Sequence, residues 1–247
     1  FRSHIHIHVD DVSFAYETSH PILEHISFTA HENDCIGLIG ANGAGKSTLL
    51  KLLVGLNLDF DGEITVEEIP VEKAMLPKIR EKIGYVFQDS DSQLFSATAY
   101  EDIAFAPKNY GFSKEEVDLR VTKALEMVGI PHLRDKQIYK MSGGEKKLVS
   151  IATILSMTPD ILLMDEPSTA LDPKNRRNLI RILNHFDHLK IIASHDLDMI
   201  LDTCNRTILL SDGKIVADGD TREILSDRAL LEAHDLELPF VLQKSPI

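Results

Sequence analysis

Two spacings of hydrophobic residues alternate along this chain, one of strands and one of helices. From His4 to Val9 the alternation is strict, with Ile5, Ile7 and Val9 on one side and His4, His6 and His8 on the other. That predicts a half-exposed strand with the isoleucines and the valine inward. Cys35-Ile36-Gly37-Leu38-Ile39 is instead a continuous apolar run, as expected of a parallel strand buried on both faces. Ile161-Leu162-Leu163-Met164 and Ile191-Ile192-Ala193-Ser194 read the same way, and Lys82 to Gln88, through Tyr85-Val86-Phe87, suggests another strand. Thr207 to Leu210 and Lys214 to Ala217 flank Ser211-Asp212-Gly213, the signature of a hairpin. Helical spacing appears in Ser47 to Leu53, with Leu49, Leu50, Leu52 and Leu53 inward. It returns after Ser113, where Val117, Val121, Ala124, Leu125 and Val128 form one stripe that Gly129 ends. Ser113 and Glu116 have the spacing of a capping box. Asp89 to Pro107 has no clear period. Strands alternating with helices predict an α/β chain with a mainly parallel sheet covered on both faces, and an antiparallel portion near the N-terminus.

Composition narrows the picture without changing it. The 247 residues suffice for one large domain or two small ones, and 43% hydrophobic with 26% charged residues is ordinary for a globular protein. A net charge of −13 argues against non-specific binding to nucleic acid. Cys35 and Cys204 lie far apart in sequence and match no metal or redox spacing, so they read as small buried hydrophobes in a reducing compartment. No apolar run reaches the ~20 residues of a membrane span, and no secretory signal is visible, so the expected compartment is the cytosol. His4 and His6, at i and i+2 on a strand, could grip a metal ion; the plainer reading is an exposed polar face.

Chemistry enters with Gly40-Ala41-Asn42-Gly43-Ala44-Gly45-Lys46-Ser47, followed by Thr48. The run fits GxxxxGK[ST] and joins a predicted strand to a predicted helix, the setting a phosphate loop requires. Its glycines let backbone N–H groups turn inward around the phosphates of ATP, and the helix N-terminus adds a positive dipole end. Lys46 would pair with the β- and γ-phosphates, and Ser47 would offer its hydroxyl to Mg²⁺. Asp165 and Glu166 end a buried strand, where side chains point into the ligand crevice of an open α/β sheet. There Asp165 can join the Mg²⁺ shell and Glu166 can polarise the attacking water. Alone, the pair would read as a solvated strand end.

With these features in place, Met141-Ser142-Gly143-Gly144-Glu145 resembles the LSGGQ signature of the ATP-binding-cassette ATPases, a second anion cradle at a helix start. The resemblance implies a P-loop NTPase with a RecA-like, mainly parallel sheet and an N-terminal antiparallel β subdomain in residues 4–88 and 161–219. An inserted α-helical signature subdomain would occupy 89–160 and a short C-terminal tail 220–247, within a single cassette spanning 4–240. It further implies a head-to-tail dimer in which Ser142, Gly143, Gly144 and Glu145 of one subunit close on ATP held by the other. Gln88 resembles the glutamine that senses the metal and γ-phosphate. Ser168-Thr169-Ala170-Leu171-Asp172 resembles the D-loop, His195 the switch histidine and Tyr16 the aromatic that stacks on adenine. For Tyr16 or His195 taken alone, packing would be the simpler reading. Met141 and Glu145 replace the usual leucine and glutamine, and the acidic Glu145 would sit near ATP.

Gln93-Leu94-Phe95, in the stretch Val86 to Phe105, resembles the extra glutamine helix of energy-coupling-factor transporters, which helps form a groove for coupling helices of a membrane scaffold. Asp89-Ser90 departs from the commoner Asn-Pro or Asp-Pro. Leu94 and Phe95 are expected to be exposed and Phe105 to be core. Leu231 to Pro239 adds a resemblance to the cobalt- and nickel-uptake members. This implies an ATP-hydrolysing, homodimeric motor at the cytoplasmic face of the membrane, with scaffold and substrate-binding membrane subunits as partners. The alternatives are a vitamin-type energy-coupling-factor ATPase, pairing with a non-identical ATPase, a regulatory nucleotide-binding subunit, or a soluble non-transport cassette.

Overall fold

A computed structural model describes residues 4–244. In chain order the elements begin with β1 (Ile5–Glu17), β2 (His20–His31), β3 (Cys35–Ile39), α1 (Lys46–Leu53), β4 (Asp61–Val66) and β5 (Ile69–Pro70). Next come α2 (Leu76–Lys82), β6 (Ile83–Val86), α3 (Ala99–Tyr110), α4 (Lys114–Val128), α5 (Gly143–Leu155), β7 (Ile161–Asp165) and α6 (Pro173–His185). The chain closes with β8 (Leu189–Ala193), α7 (Leu197–Thr203), β9 (Arg206–Ser211), β10 (Lys214–Asp220), α8 (Thr221–Leu225) and α9 (Arg228–Ala233). Residues 245–247 of the C-terminal tail lie outside the described residues.

The strands form two sheets. One is antiparallel, in the order β2-β1-β4-β5, and the other runs β10-β9-β3-β8-β7-β6, parallel except for the β10 edge. Every residue of β3, β7 and β8 is buried, as continuous apolar runs require. Successive side chains on these strands serve opposite faces. Ile36, Leu38, Leu163 and Ile191 pack with α1, α2 and the antiparallel sheet, whereas Cys35, Ile39, Met164 and Ile192 pack with α3 to α7. Lys190 keeps its place in buried β8 because its Nζ donates to the Leu183 and Phe186 carbonyls at the end of α6. Helices α3, α4 and α5 pack on one another between β6 and β7, a helical insert in the sheet's connectivity.

The alternation of β1 fails at its start. Ile5 is 44% exposed, while His6 and Ile7 are both buried. Ile5 pairs with His31 and Ile7 with Ala30, so two steps on β1 meet one on β2. That extra residue is a β-bulge, which re-aims the side chains around it. At α4, the Ser113 hydroxyl accepts the Glu116 N–H, but Glu116 turns its carboxylate to Arg120, so the expected reciprocal box is half made. The full capping box forms instead at Ser142 and Glu145, opening α5. Gly129 ends α4 at φ 76°. The aperiodic segment holds a single 3-10 turn, Ser90–Ser92, before α3. Cys35 and Cys204, remote in sequence, bring their buried thiols to 3.3 Å. Among the described residues no helix is long and apolar enough to cross a membrane.

Candidate nucleotide site

The sharp exit from β3 into α1 builds the site. Gly43 and Gly45 have φ of 82° and 102°, backbone that L side chains rarely adopt. A Cβ on Gly45 would meet Leu23 Cδ2 at 2.7 Å, whereas one on Gly43 would meet nothing within 4 Å. The loop is therefore packed on its inner side and open on its outer side. Residues Asn42, Gly43, Ala44, Gly45, Lys46, Ser47 and Thr48 line a cavity of about 430 Å³ with Ile22, Gln88, Glu166, Thr169 and His195. A larger cleft, about 1020 Å³, runs between the D-loop segment Ser168–Leu171, the start of α7 and the C-terminal segment from Asp235 to Gln243. It contains no phosphate loop, so the smaller cavity is the candidate for a nucleotide.

Parallel register brings the charges together. β7 pairs with β8 up to Asp165 opposite Ala193, and the Glu166 N–H then donates to the Ala193 carbonyl at 2.7 Å. Glu166 has a left-handed φ of 46°, an uncommon conformation for a non-glycine residue. Its carboxylate accepts from Lys46 Nζ at 3.4 Å and lies 2.9 Å from His195 Nδ1; the His195 N–H also donates to it. Asp165 is buried beside it. One oxygen accepts from the Tyr85 hydroxyl at 3.5 Å, and Oδ1 has no hydrogen-bond partner among the described residues. Burial pushes the Asp165 pKa up, the Ser47 hydroxyl opposing and Glu166 adding to the rise. Burial, with Asp165 beside it, also raises that of Tyr85. A buried carboxylate with one oxygen lacking a hydrogen-bond partner, near a serine hydroxyl, fits a divalent cation of the Mg²⁺ type.

The remaining candidates are distributed differently. Gly40 and Ala41 shape the loop without lining the cavity; the Ala41 carbonyl accepts the Ala44 N–H. Tyr16 is exposed, edge-on to Phe14, and outside the cavity lining. Ser142, Gly143, Gly144 and Glu145 sit at the start of α5 and contribute nothing to this cavity. Glu145 donates its N–H to Ser142 Oγ, while its carboxylate accepts from the Ser142 N–H and from Lys136 Nζ at 3.1 Å. Those contacts lower its pKa, the Ser142 N–H foremost, and Lys136 offsets its charge. Asp172 caps α6 by accepting the Asn175 N–H.

Two expectations near Gln93, for Leu94 and Phe105, need correction. Leu94 is buried at 7% exposure in the helical core, not exposed. Gln93 is turned inward, donating to the Ser150 carbonyl and Thr153 Oγ1 and accepting from the Phe87 N–H. Phe105, expected in the core, is 45% exposed and stacks edge-to-face on Phe95, itself 67% exposed. The turn Asp89–Ser92 causes this. Asp89 accepts from the Asp91 N–H and the Ser92 hydroxyl, so Leu94 rather than Phe95 faces α5.

Comparisons with known proteins agree with the geometry. Residues 23–169 match the family described as ABC transporter. A putative ABC transporter ATP-binding protein of Geobacter sulfurreducens is 46% identical over 99% of this chain and 98% of its own. The energy-coupling factor transporter ATP-binding protein EcfA of Methanothermobacter thermautotrophicus is 40% identical, covering 94% of this chain and 76% of its own. Among solved structures, CbiO1 of Clostridium perfringens, part of the ABC transporter complex CbiONQ, has a TM-score of 0.83 at 32% identity, covering 96% of this chain and 97% of its own. The cassette MJ0796, in a dimeric post-hydrolysis state with ADP and Pi, has a TM-score of 0.80 at 26% identity over 87% of this chain and 99% of its own.

Sequence reasoning missed Lys147. It is 2% exposed, and its Nζ donates to the carbonyls of Phe87 and Gln88, at 2.9 and 2.6 Å. Burial pulls its pKa down, while Asp165 and Asp89 favour its charge. The lysine thereby ties α5, which begins at Ser142–Gly144, to the glutamine that lines the cavity. A lysine on the apolar stripe of the helix after Ser142 was the available signal. Lys147→Met should destabilise the chain by about 1–3 kcal/mol, since it removes a buried lysine's hydrogen bonds to two part-buried carbonyls, and lower ATP turnover, with Lys147→Arg recovering part of both. Thermal melts and steady-state ATPase assays measure the two effects.

Proposed function

Because the chain belongs to the ABC transporter family, whose cassettes hydrolyse ATP, we propose that it is the motor subunit of an energy-coupling-factor importer, most like those for cobalt or nickel. The observation that carries the site assignment is the convergence of Lys46, Gln88, Glu166 and His195 on one cavity that the phosphate loop lines. The importer reading is supported by the likeness to EcfA and to CbiO1, and by the exposed Phe95–Phe105 pair just beyond Gln88.

In this account the open N–H groups of the loop and the start of α1 receive the phosphates of ATP. Ser47, Gln88 and Asp165 would hold Mg²⁺, which neutralises charge on the β- and γ-oxygens. Lys46 exchanges its contact with Glu166 for the γ-phosphate. The freed Glu166 carboxylate then accepts a proton from a water as its oxygen attacks the γ-phosphorus. The bond to the bridging oxygen breaks, and ADP leaves with its electron pair. His195, already 2.9 Å from Glu166, is placed to contact the γ-phosphate and keep that carboxylate oriented. Tyr16 would flank the adenine.

The signature residues Ser142, Gly143 and Gly144 present a second anion cradle outside this cavity. We assign them, with the Asp172 loop, to ATP held by a second copy, so that two copies enclose two nucleotides. The capping box pre-forms that cradle, and Lys136 relieves the negative charge of Glu145. Closure would move the helices between β6 and β7 and push, through Phe95 and Phe105, on a helix of a membrane scaffold. Apolar anchors of this kind suit helix-in-groove docking. The chain would then work at the cytoplasmic face of the membrane, and the membrane subunits would choose the cargo.

Glu166→Gln should leave ATP binding intact, cut hydrolysis by about 10²–10⁴-fold, the usual worth of a general base, and accumulate an ATP-bound dimer on size exclusion; normal turnover would remove the assigned role. Phe95→Ser with Phe105→Ser should keep the melting temperature but abolish co-purification of membrane subunits from a tagged strain. Unchanged co-purification would contradict the docking role.

A further inference from the structure

The start of β1 and the β4–β5 turn form a cluster that the nucleotide chemistry does not use. Ligand-capable atoms of His4, His6 and Glu67 all lie within 4.8 Å of one another. His4 Nε2 is 2.7 Å from one Glu67 oxygen, and His6 Nδ1 contacts the other. The two rings stand edge-to-face with centroids 4.9 Å apart.

Three backbone features create the cluster. The bulge between Ile5 and Ile7 breaks the alternation and puts His6, rather than Ile5, on the buried side. The Glu67 N–H donates to the His6 carbonyl at 2.8 Å, fixing the turn against the strand. Glu67 and Glu68 form the two-residue connection between Val66 and Ile69, both at positive φ, 51° and 65°. Asn-Gly is the common choice for such a turn; here the first position carries a carboxylate aimed at the histidines.

Burial and the imidazoles of His4 and His188 lower the His6 pKa, against the carboxylates of Glu32 and Asp160, which raise it. Among the described residues, His6 Nε2 is buried without a hydrogen-bond partner, and the ring's one contact of that kind there is through Nδ1 to Glu67. Asp160 and His188 precede β7 and β8. The cluster therefore lies at the opposite end of the parallel sheet from Glu166 and His195, and a cation here is no part of the ATP site.

We propose that His4, His6 and Glu67 bind one divalent late first-row transition-metal ion, clasping the start of β1 to the β4–β5 turn. Two imidazoles and one carboxylate suit Zn²⁺, Ni²⁺ or Co²⁺ and disfavour Mg²⁺, which takes oxygen ligands. Three protein ligands leave at least one position for water. The inference stands on these residues alone and is independent of the transport reading.

The test is a Zn²⁺ titration of the purified chain against a chromophoric chelator, in excess Mg²⁺ so that hard-cation sites are filled. Wild type should take up one equivalent of Zn²⁺ and melt at a higher temperature with it. Co²⁺ loaded in its place should show ligand-field absorption. His4→Ala and Glu67→Gln should each weaken Zn²⁺ binding by more than about 100-fold, beyond the 10–100-fold cost of losing an outer-shell partner. Both residues are at least partly exposed to solvent, and a metal-free melt checks that the variants fold. His8→Ala, on the same strand but exposed and outside the cluster, should bind as wild type does. No uptake by wild type under excess Mg²⁺, or equal uptake by the His4 and Glu67 variants, would overturn the proposal.

Discussion

The site depends on one constraint: β3, β8 and β7 are parallel neighbours that release their chains at the same edge of the sheet. Leu38 and Asp165 both pair with Ala193, one from each side. The phosphate loop, Glu166 and His195 therefore leave the sheet within a few residues of one level. A one-residue slip would exchange the faces of a whole strand, mixing the two cores and turning Glu166 away from Lys46. The continuous burial of all three strands prevents that slip. The chemistry is thus held in place by the same apolar contacts that hold the fold.

A second consequence concerns charge. Lys46 and Glu166 are both buried, and each is the other's partner. Asp165 lies next to them with one oxygen bare. Such an arrangement is costly in an apolar interior unless further charges arrive. In the proposed ATP complex, a phosphate for Lys46 and a cation for Asp165 would supply both at once. The left-handed Glu166 belongs to the same logic, since strained residues gather where position matters more than stability.

Much of this was legible in the sequence, because the signals were local. Cys35–Ile39 is apolar without interruption, and the glycines at 43 and 45 have no low-energy substitute. The turn at Asp212-Gly213 and the stripe from Val117 to Val128 are equally direct. The failures have a common cause in contacts from elsewhere in the chain. Alternation placed His6 outside and Ile5 inside, but a bulge against β2 reversed them. The resemblance to a partner groove led Leu94 to be expected outside and Phe105 in the core; the Asp89 turn and the grip of Gln93 on α5 set the segment otherwise. The box expected at Ser113 lost half its bonds to Arg120. Lys147 gave no signal beyond being a charge among apolar neighbours, because its partners are main-chain carbonyls some 60 residues away.

One chain is proposed to carry two halves of different sites, the phosphate loop and the Ser142–Gly144 cradle, completed only across a dimer. Mixing two inactive variants tests it most directly. Lys46→Ala disables the loop and leaves the cradle; Ser142→Arg does the reverse. Each alone lacks one half of every composite site and should turn over no ATP. Mixed, they form dimers with one intact composite site, and hydrolysis should return. Folded variants that stay inactive when mixed, or a Ser142→Arg chain that hydrolyses ATP at the wild-type rate, would contradict the account.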